Sequence, residues 1–165
     1  MPPQIRAMNW RTDRTAVLAF QKEIYETNFP GFRMTVSFLR DYEVQLKQAL
    51  RSQMERVLVL EDEQGVCGLL WLSLITTMVE PLVGYIKNIY VAPRVRGEGW
   101  GRALLNEADR WFRQNGCPKA ALDATIANER AVSTYIRAGY APARYRMEKH
   151  YHAPDAIPGA SGDTL

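Results

Sequence analysis

Apolar residues in this chain recur with two periods, and the alternation between them outlines a layered α/β domain. Ile5–Asn9 reads as a short first strand. Val17, Phe20 and Ile24 then fall at helical spacing, in a helix capped at Thr12 or Asp13 and running toward Glu26. The turn residues Asn28, Pro30 and Gly31 end it. Thr35 caps a second helix carrying Val36, Leu39 and Leu46 on one side. Residues 56–60 and 66–74 are apolar runs joined by Glu61-Asp62-Glu63-Gln64-Gly65, which predicts a hairpin. A strand follows over 82–91, and the break in alternation at Lys87-Asn88-Ile89 marks a bulge. A third helix spans about 99–115, with Leu104, Leu105, Ala108, Trp111 and Phe112 on one face. Next come a strand at Lys119–Asp123, a helix at Glu129–Ala138, and one or two strands within Tyr140–His150. The order predicts one α/β domain over residues 1–152, with a mixed, mostly antiparallel sheet, and a flexible tail over 153–165 rich in Pro and Gly.

The chemistry concentrates where the 82–91 strand meets the third helix. Gly97, Gly99 and Gly101 alternate there with Glu98 and Trp100, flanked by Arg96 and Arg102. A strand, a glycine loop and a helix N-terminus aim several free N–H groups and a partial positive charge at one point. That arrangement suits a phosphate or pyrophosphate. Trp100 is expected to pack behind the loop. No Gly-Lys-Ser/Thr is present, which excludes the nucleoside-triphosphatase loop. The spacing is one residue short of G-x-G-x-x-G, although Asp123 lies about 20 residues on, where a ribose-binding acid would fall. Further along, Asn128, Ala131, Tyr135, Gly139 and Tyr140 form N-x-x-A-x-x-x-Y-x-x-x-G-aromatic. This places Ala131 and Tyr135 on one helix face, with Asn128 at its start and Gly139 at its end.

The segment Arg96-Gly97-Glu98-Gly99-Trp100-Gly101, followed by the Asn128–Tyr140 spacing, resembles the GNAT superfamily of N-acetyltransferases, which bind acetyl-coenzyme A. The resemblance implies a central sheet with helices on both faces and a fourth strand that splays from the fifth at a bulge. It also implies that the backbone at Ile89, Tyr90 and Val91 holds the pantetheine arm. The pyrophosphate would sit on residues 96–102 (Arg96, Gly97, Glu98, Gly99, Trp100, Gly101 and Arg102), with Asn128, Ala131 and Tyr135 completing the coenzyme site. The implied reaction is direct transfer of acetyl from acetyl-coenzyme A to a primary amine of a small molecule or a peptide N-terminus, in a ternary complex. Many relatives carry a Glu on the fourth strand where this chain has Lys87. Asp123 is therefore the first candidate base, with a structural hydrogen bond or helix-side cap as its other reading. Tyr135 is the implied acid for the departing thiolate, or a core tyrosine bonding to the sulfur. The acceptor pocket is expected from Tyr25, Asn28, Phe29, Phe32 and Glu80, with Glu26, Tyr42, Tyr145 and Tyr151 nearby. The departure at Lys87 also motivates an alternative, a non-catalytic acyl-coenzyme A sensor or regulatory protein. A nucleotide-binding protein is a third reading, which the Asn128–Tyr135 spacing opposes.

Bulk properties narrow the partners. The 165 residues are 47% hydrophobic and 24% charged, with a net charge of +3. These are ordinary globular values with no dense basic run, so neither nucleic acid nor membrane is expected as a partner. Cys67 and Cys117 have no metal or redox spacing, and the N-terminus has no signal-peptide pattern, which fits a cytoplasmic protein. His150 and His152 lack a third ligand, so no metal is expected. Homodimers are common among GNAT proteins, but no decisive interface is visible in the sequence.

Overall fold

The computed structural model describes residues 2–151. The elements are β1 (Gln4–Ala7), α1 (Trp10–Asn28), α2 (Val36–Ala49), β2 (Glu55–Asp62), β3 (Gly65–Ile75), β4 (Val83–Val91), α3 (Trp100–Gln114), β5 (Ala120–Ala121) and α4 (Glu129–Arg137). A single 3-10 turn, Pro93–Val95, links β4 to the glycine loop. The five strands pair in chain order. All neighbours are antiparallel except β4 and β5, which are parallel.

The long apolar run of β3 is explained by helices on both faces of the sheet. Val57, Val59, Leu69 and Trp71 pack with Val17, Tyr42 and Leu46 of α1 and α2. The alternate residues Leu58, Leu70, Leu72 and Ile86 pack with Leu104, Leu105, Ala108 and Phe112 of α3. A period of two thus sends neighbouring side chains into two separate cores.

Asn9 caps α1, its side chain accepting from Arg11 N–H at 3.0 Å. The expectation of a cap at Thr12 or Asp13 is thereby corrected. Asp13, only 1% exposed, instead accepts from Arg6 Nη1 at 2.6 Å, Arg6 Nη2 at 3.0 Å and the Asn9 backbone N–H at 2.7 Å. At the other end of the chain, α4 closes in a Schellman arrangement. Gly139, at φ 96°, donates to Ile136 O, and Tyr140 donates to Tyr135 O.

Two further expectations change. The predicted Lys119–Asp123 strand shortens to two residues, because β5 pairs β4 only at Gly84 and Tyr85. The predicted strands within Tyr140–His150 are not formed, and residues 141–150 are exposed throughout. The alternation of Tyr145 and Met147 with Arg144, Arg146 and Glu148 is a genuine strand pattern. However, a two-residue β5 offers almost no ladder to extend, and Pro142 removes a donor at its start. The tail beyond 151, including His152, lies outside the described residues.

Gly84 fixes how closely α3 can approach the sheet. A Cβ at this position would lie 2.4 Å from the Phe112 ring. Gly84→Ala is expected to destabilise the fold by about 1–3 kcal/mol through overpacking, read as a lower urea midpoint at unchanged slope.

Asp13 sets an acid limb. Burial alone would raise its pKa, but Arg6, the Asn9 N–H and the Thr12 hydroxyl outweigh burial and hold it below the usual carboxylate value. Its stabilisation is present above the ordinary carboxylate pKa of about 4 and is lost as pH falls through the lower folded value. Urea midpoints measured against pH should fall less steeply on acidification for Asp13→Asn than for the wild type.

Candidate active site

The glycine loop holds its donors free. Gly97 and Gly99 have φ of 84° and 89°, the left-handed region that glycine enters without strain. Gly99 is the N-cap of α3 and offers no side-chain acceptor, so no side chain caps the first turn. Trp100 packs against the cluster of Leu60, Cys67, Ala92 and Val95 behind the loop, and its indole N–H donates to Glu98 at 3.2 Å. Arg102 is exposed and has no ion pair among the described residues. Arg96 is differently employed. Its Nε donates to Val91 O at 2.8 Å, and its Nη2 donates to Glu23 Oε1 at 2.5 Å. Glu23 also accepts from the Tyr90 hydroxyl at 2.6 Å, so Arg96 ties α1, β4 and the loop together. Burial would raise the Glu23 pKa, but Tyr90 and Arg96 bring it below its ordinary value. Burial and Glu23 push Tyr90 up to about 12.

The uncapped helix end, the two left-handed glycines and Arg102 fit a pyrophosphate. They would hold that group of acetyl-coenzyme A through backbone donors and one spare cation. The site is continuous with an open strand edge. In the β3–β4 ladder, Trp71 faces Asn88 while Leu72 faces Ile86, so Lys87 is the extra, bulged residue. Beyond the bulge, Ile89, Tyr90 and Val91 pair β3 on one side, and β5 does not reach their other side.

The mouth of this opening carries a carboxylate. The Tyr85 hydroxyl of β4 donates to Asp123 Oδ2 at 2.7 Å, across the divergence of the two strands. Burial, then the contact with Asp123, push Tyr85 up to about 12, so it keeps its proton at neutral pH. Asp123 is exposed, and its Oδ1 has no hydrogen bond among the described residues. Tyr85 was not anticipated from the sequence. Its only signal was its place two residues before the bulge.

Beside the bulge, a cavity of about 390 Å³ opens between α1, α2 and β4. Asn28, Phe29 and Phe32, expected in the acceptor pocket, are not in its lining, whereas Tyr25 is. It stacks on Phe29 at 5.6 Å, and meets Phe32 at 5.7 Å and Phe38 at 4.7 Å. The Tyr25 and Tyr42 hydroxyls turn toward Asn88, which also donates to Lys87 O at 2.8 Å and so braces the bulge. Lys87 itself spans the floor. Its Nζ lies 4.2 Å above the Trp71 ring and donates to Glu55 Oε1 at 3.1 Å. Glu80 is paired with Lys119 and does not line this cavity. Phe38 and Asp41 of α2 were also not anticipated, since helical spacing alone does not tell a cavity wall from a core, and Glu55 was not because its pairing with Lys87 spans two strands.

Asn28 and Asn128, expected on opposite sides of the site, touch each other. Asn128 Nδ2 donates to Asn28 Oδ1 at 3.1 Å, and the Thr125 hydroxyl donates to Asn28 O at 2.6 Å. Asn128 also caps α4, accepting from the Ala131 N–H at 3.3 Å. Tyr135, one helical turn beyond Ala131, packs on the α3-side core, and burial raises its pKa.

Known proteins share this frame. An aminoglycoside N(6')-acetyltransferase type 1 of Serratia marcescens is 34% identical over 59 residues, covering 36% of this chain and 40% of the relative. This chain thus aligns with about two fifths of that relative's length. An acetyl transferase from Pyrococcus furiosus superposes with a TM-score of 0.71 at 26% identity, covering 90% of this chain and 99% of that one. An acetyltransferase of Clostridium acetobutylicum, crystallised with acetyl-CoA, shares the fold with a TM-score of 0.73 at 16% identity, covering 91% of this chain and 99% of that one. The family model for GNAT acetyltransferases matches residues 20–140, which include the glycine loop, the open β4 edge and the Asn128–Tyr135 helix. With that match over most of its length, the chain belongs to the GNAT family of acetyltransferases.

Proposed function

We propose that the protein transfers an acetyl group from acetyl-coenzyme A to a primary amine, by direct attack with both substrates bound. One juxtaposition carries this reading: an uncapped, glycine-lined helix end continues into an unpaired strand edge that opens at the Tyr85–Asp123 pair. When bound, acetyl-coenzyme A supplies the activated thioester. The backbone of Ile89 and Val91 offers donors toward the carbonyl, where negative charge develops during attack. The cleft holds amine and thioester in line, which removes the entropy cost of their meeting.

An alkyl ammonium has a pKa near that of lysine, about 10, and must lose a proton before it attacks. Asp123 Oδ1 is the acceptor for that proton, directly or through a water. Tyr85 stays protonated and holds the carboxylate in place through Oδ2. Tyr135, kept protonated by burial, supplies a proton to the departing sulfur. Lys87 is unsuited to the base role, because its ammonium is engaged by Glu55 and the Trp71 ring.

The deciding experiment pairs calorimetric titration of acetyl-coenzyme A with an assay of amine-dependent thiol release. Micromolar binding, about −8 kcal/mol, together with thiol release is expected; binding without release for any amine would favour the sensor. Asp123→Asn should lower kcat by about a hundredfold with coenzyme affinity retained. Tyr135→Phe should also lower kcat at unchanged coenzyme affinity, and unaltered turnover would remove it as the acid.

Gly99→Val tests the loop. A Cβ at Gly99 meets no protein atom, so the obstacle is the backbone, not crowding. A β-branched residue at φ 89° costs about 1–2 kcal/mol and re-aims the helix end. Coenzyme affinity should fall by about tenfold or more in a folded variant.

A further inference from the structure

The cavity beside the bulge is built for one kind of amine. Its walls are the rings of Tyr25, Phe38, Tyr42 and Trp71. They form a connected array, with Phe38 and Tyr42 at 6.5 Å and Tyr42 and Trp71 at 5.5 Å. At about 390 Å³ it lies near the lower end of the range for small-molecule sites, about 300–1,000 Å³. Such walls take an aromatic or branched apolar group by burial and ring contact.

The charges sort acceptors further. The lining carries one acid, Asp41, and one base, Lys87. Asp41 is exposed at the rim and has no ion pair among the described residues, so it can draw in a single ammonium. Lys87 already covers the Trp71 face, where a cation gains from the ring, and it pairs with Glu55 at 3.1 Å. With the reacting amine at Asp123 and a second ammonium at Asp41, each further ammonium of a polycation would meet Lys87 with no free carboxylate in the lining, an arrangement that discriminates by repulsion.

We propose that the acceptor is a primary amine joined by a short linker to an aromatic or bulky apolar group, and that Lys87 disfavours polycationic amines. This rests on the acetyl-transfer reading above. It separates the chain from what the name of its aminoglycoside-acetylating relative would suggest, since aminoglycosides carry several ammonium groups. Two sources share the favoured chemistry: a free arylalkylamine, and the N-terminus of a peptide with an apolar first residue.

The test is steady-state thiol release at saturating acetyl-coenzyme A, with phenylethylamine, a Phe-initiated tetrapeptide, butylamine, spermidine and kanamycin as acceptors. The expected kcat/KM for phenylethylamine or the peptide exceeds those for butylamine and spermidine by about tenfold or more. The larger of the first two identifies the source. Phe38→Ala should collapse the preference over butylamine. Lys87→Met, a change at a side chain that lies outside the packed core, should raise the spermidine value relative to that of phenylethylamine by about tenfold. Preference for spermidine or kanamycin in the wild type, or an unchanged ratio of the spermidine to the phenylethylamine value in Lys87→Met, would overturn the proposal. If no amine is turned over, the acetyl-transfer reading fails by itself. Calorimetric binding of the same amines in the presence of coenzyme A then decides: the same ranking upholds the specificity, and a reversed ranking or no binding overturns it.

Discussion

One surplus residue in β4 organises the whole site. Placing Lys87 outside the β3–β4 register kinks the strand just after its short contact with β5. A two-residue parallel pairing is a poor source of stability by itself. It survives because Gly84 lets the Phe112 ring press directly on the backbone there, anchoring α3 beneath the point of divergence. Beyond that anchor β4 keeps one partner instead of two. The exposed donors and acceptors of its free edge would be a liability on an ordinary sheet. Here the free edge leads from the helix end at Gly99 to the carboxylate at Asp123, and it becomes the floor of the site.

The bulge also divides labour between charged groups. Lys87 is turned to the Trp71 face and Glu55, away from Asp123. Tyr85 turns toward Asp123. Asn88 holds the kink by donating to the carbonyl of its neighbour, while the tyrosines of the helical layer face its amide. A single irregularity therefore sets the geometry of both the Tyr85–Asp123 mouth and the aromatic cavity. Bulges re-aim side chains, and several roles depend on this one.

The layered frame was legible because its signals are local. The double-sided burial of β3, the apolar face of α3, the Thr35 and Asn128 caps and the Gly139 terminator each follow from a few neighbouring residues. The glycine loop was legible for the same reason. Long-range pairings were less so. The alternation of Tyr145 and Met147 is indistinguishable in sequence from a paired strand, yet pairing depends on the length of β5, which is set elsewhere. Arg96 looked like a phosphate ligand by its place in the motif, but a glutamate 73 positions earlier claims its guanidinium. Tyr85 and Asp123 are 38 positions apart and meet only because the strands run parallel and then part.

The contact of Asn28 with Asn128 has a thermodynamic consequence. Each asparagine stands at the end of a helix that borders a different half of the cleft, and one amide proton is shared between them. A ligand that displaced that bond to claim one side chain would leave the other asparagine free for the second ligand. The free energy of parting them is then spent only once. Linkage requires the resulting change in affinity to be reciprocal, so each substrate would alter the binding of the other by the same factor, whichever arrived first.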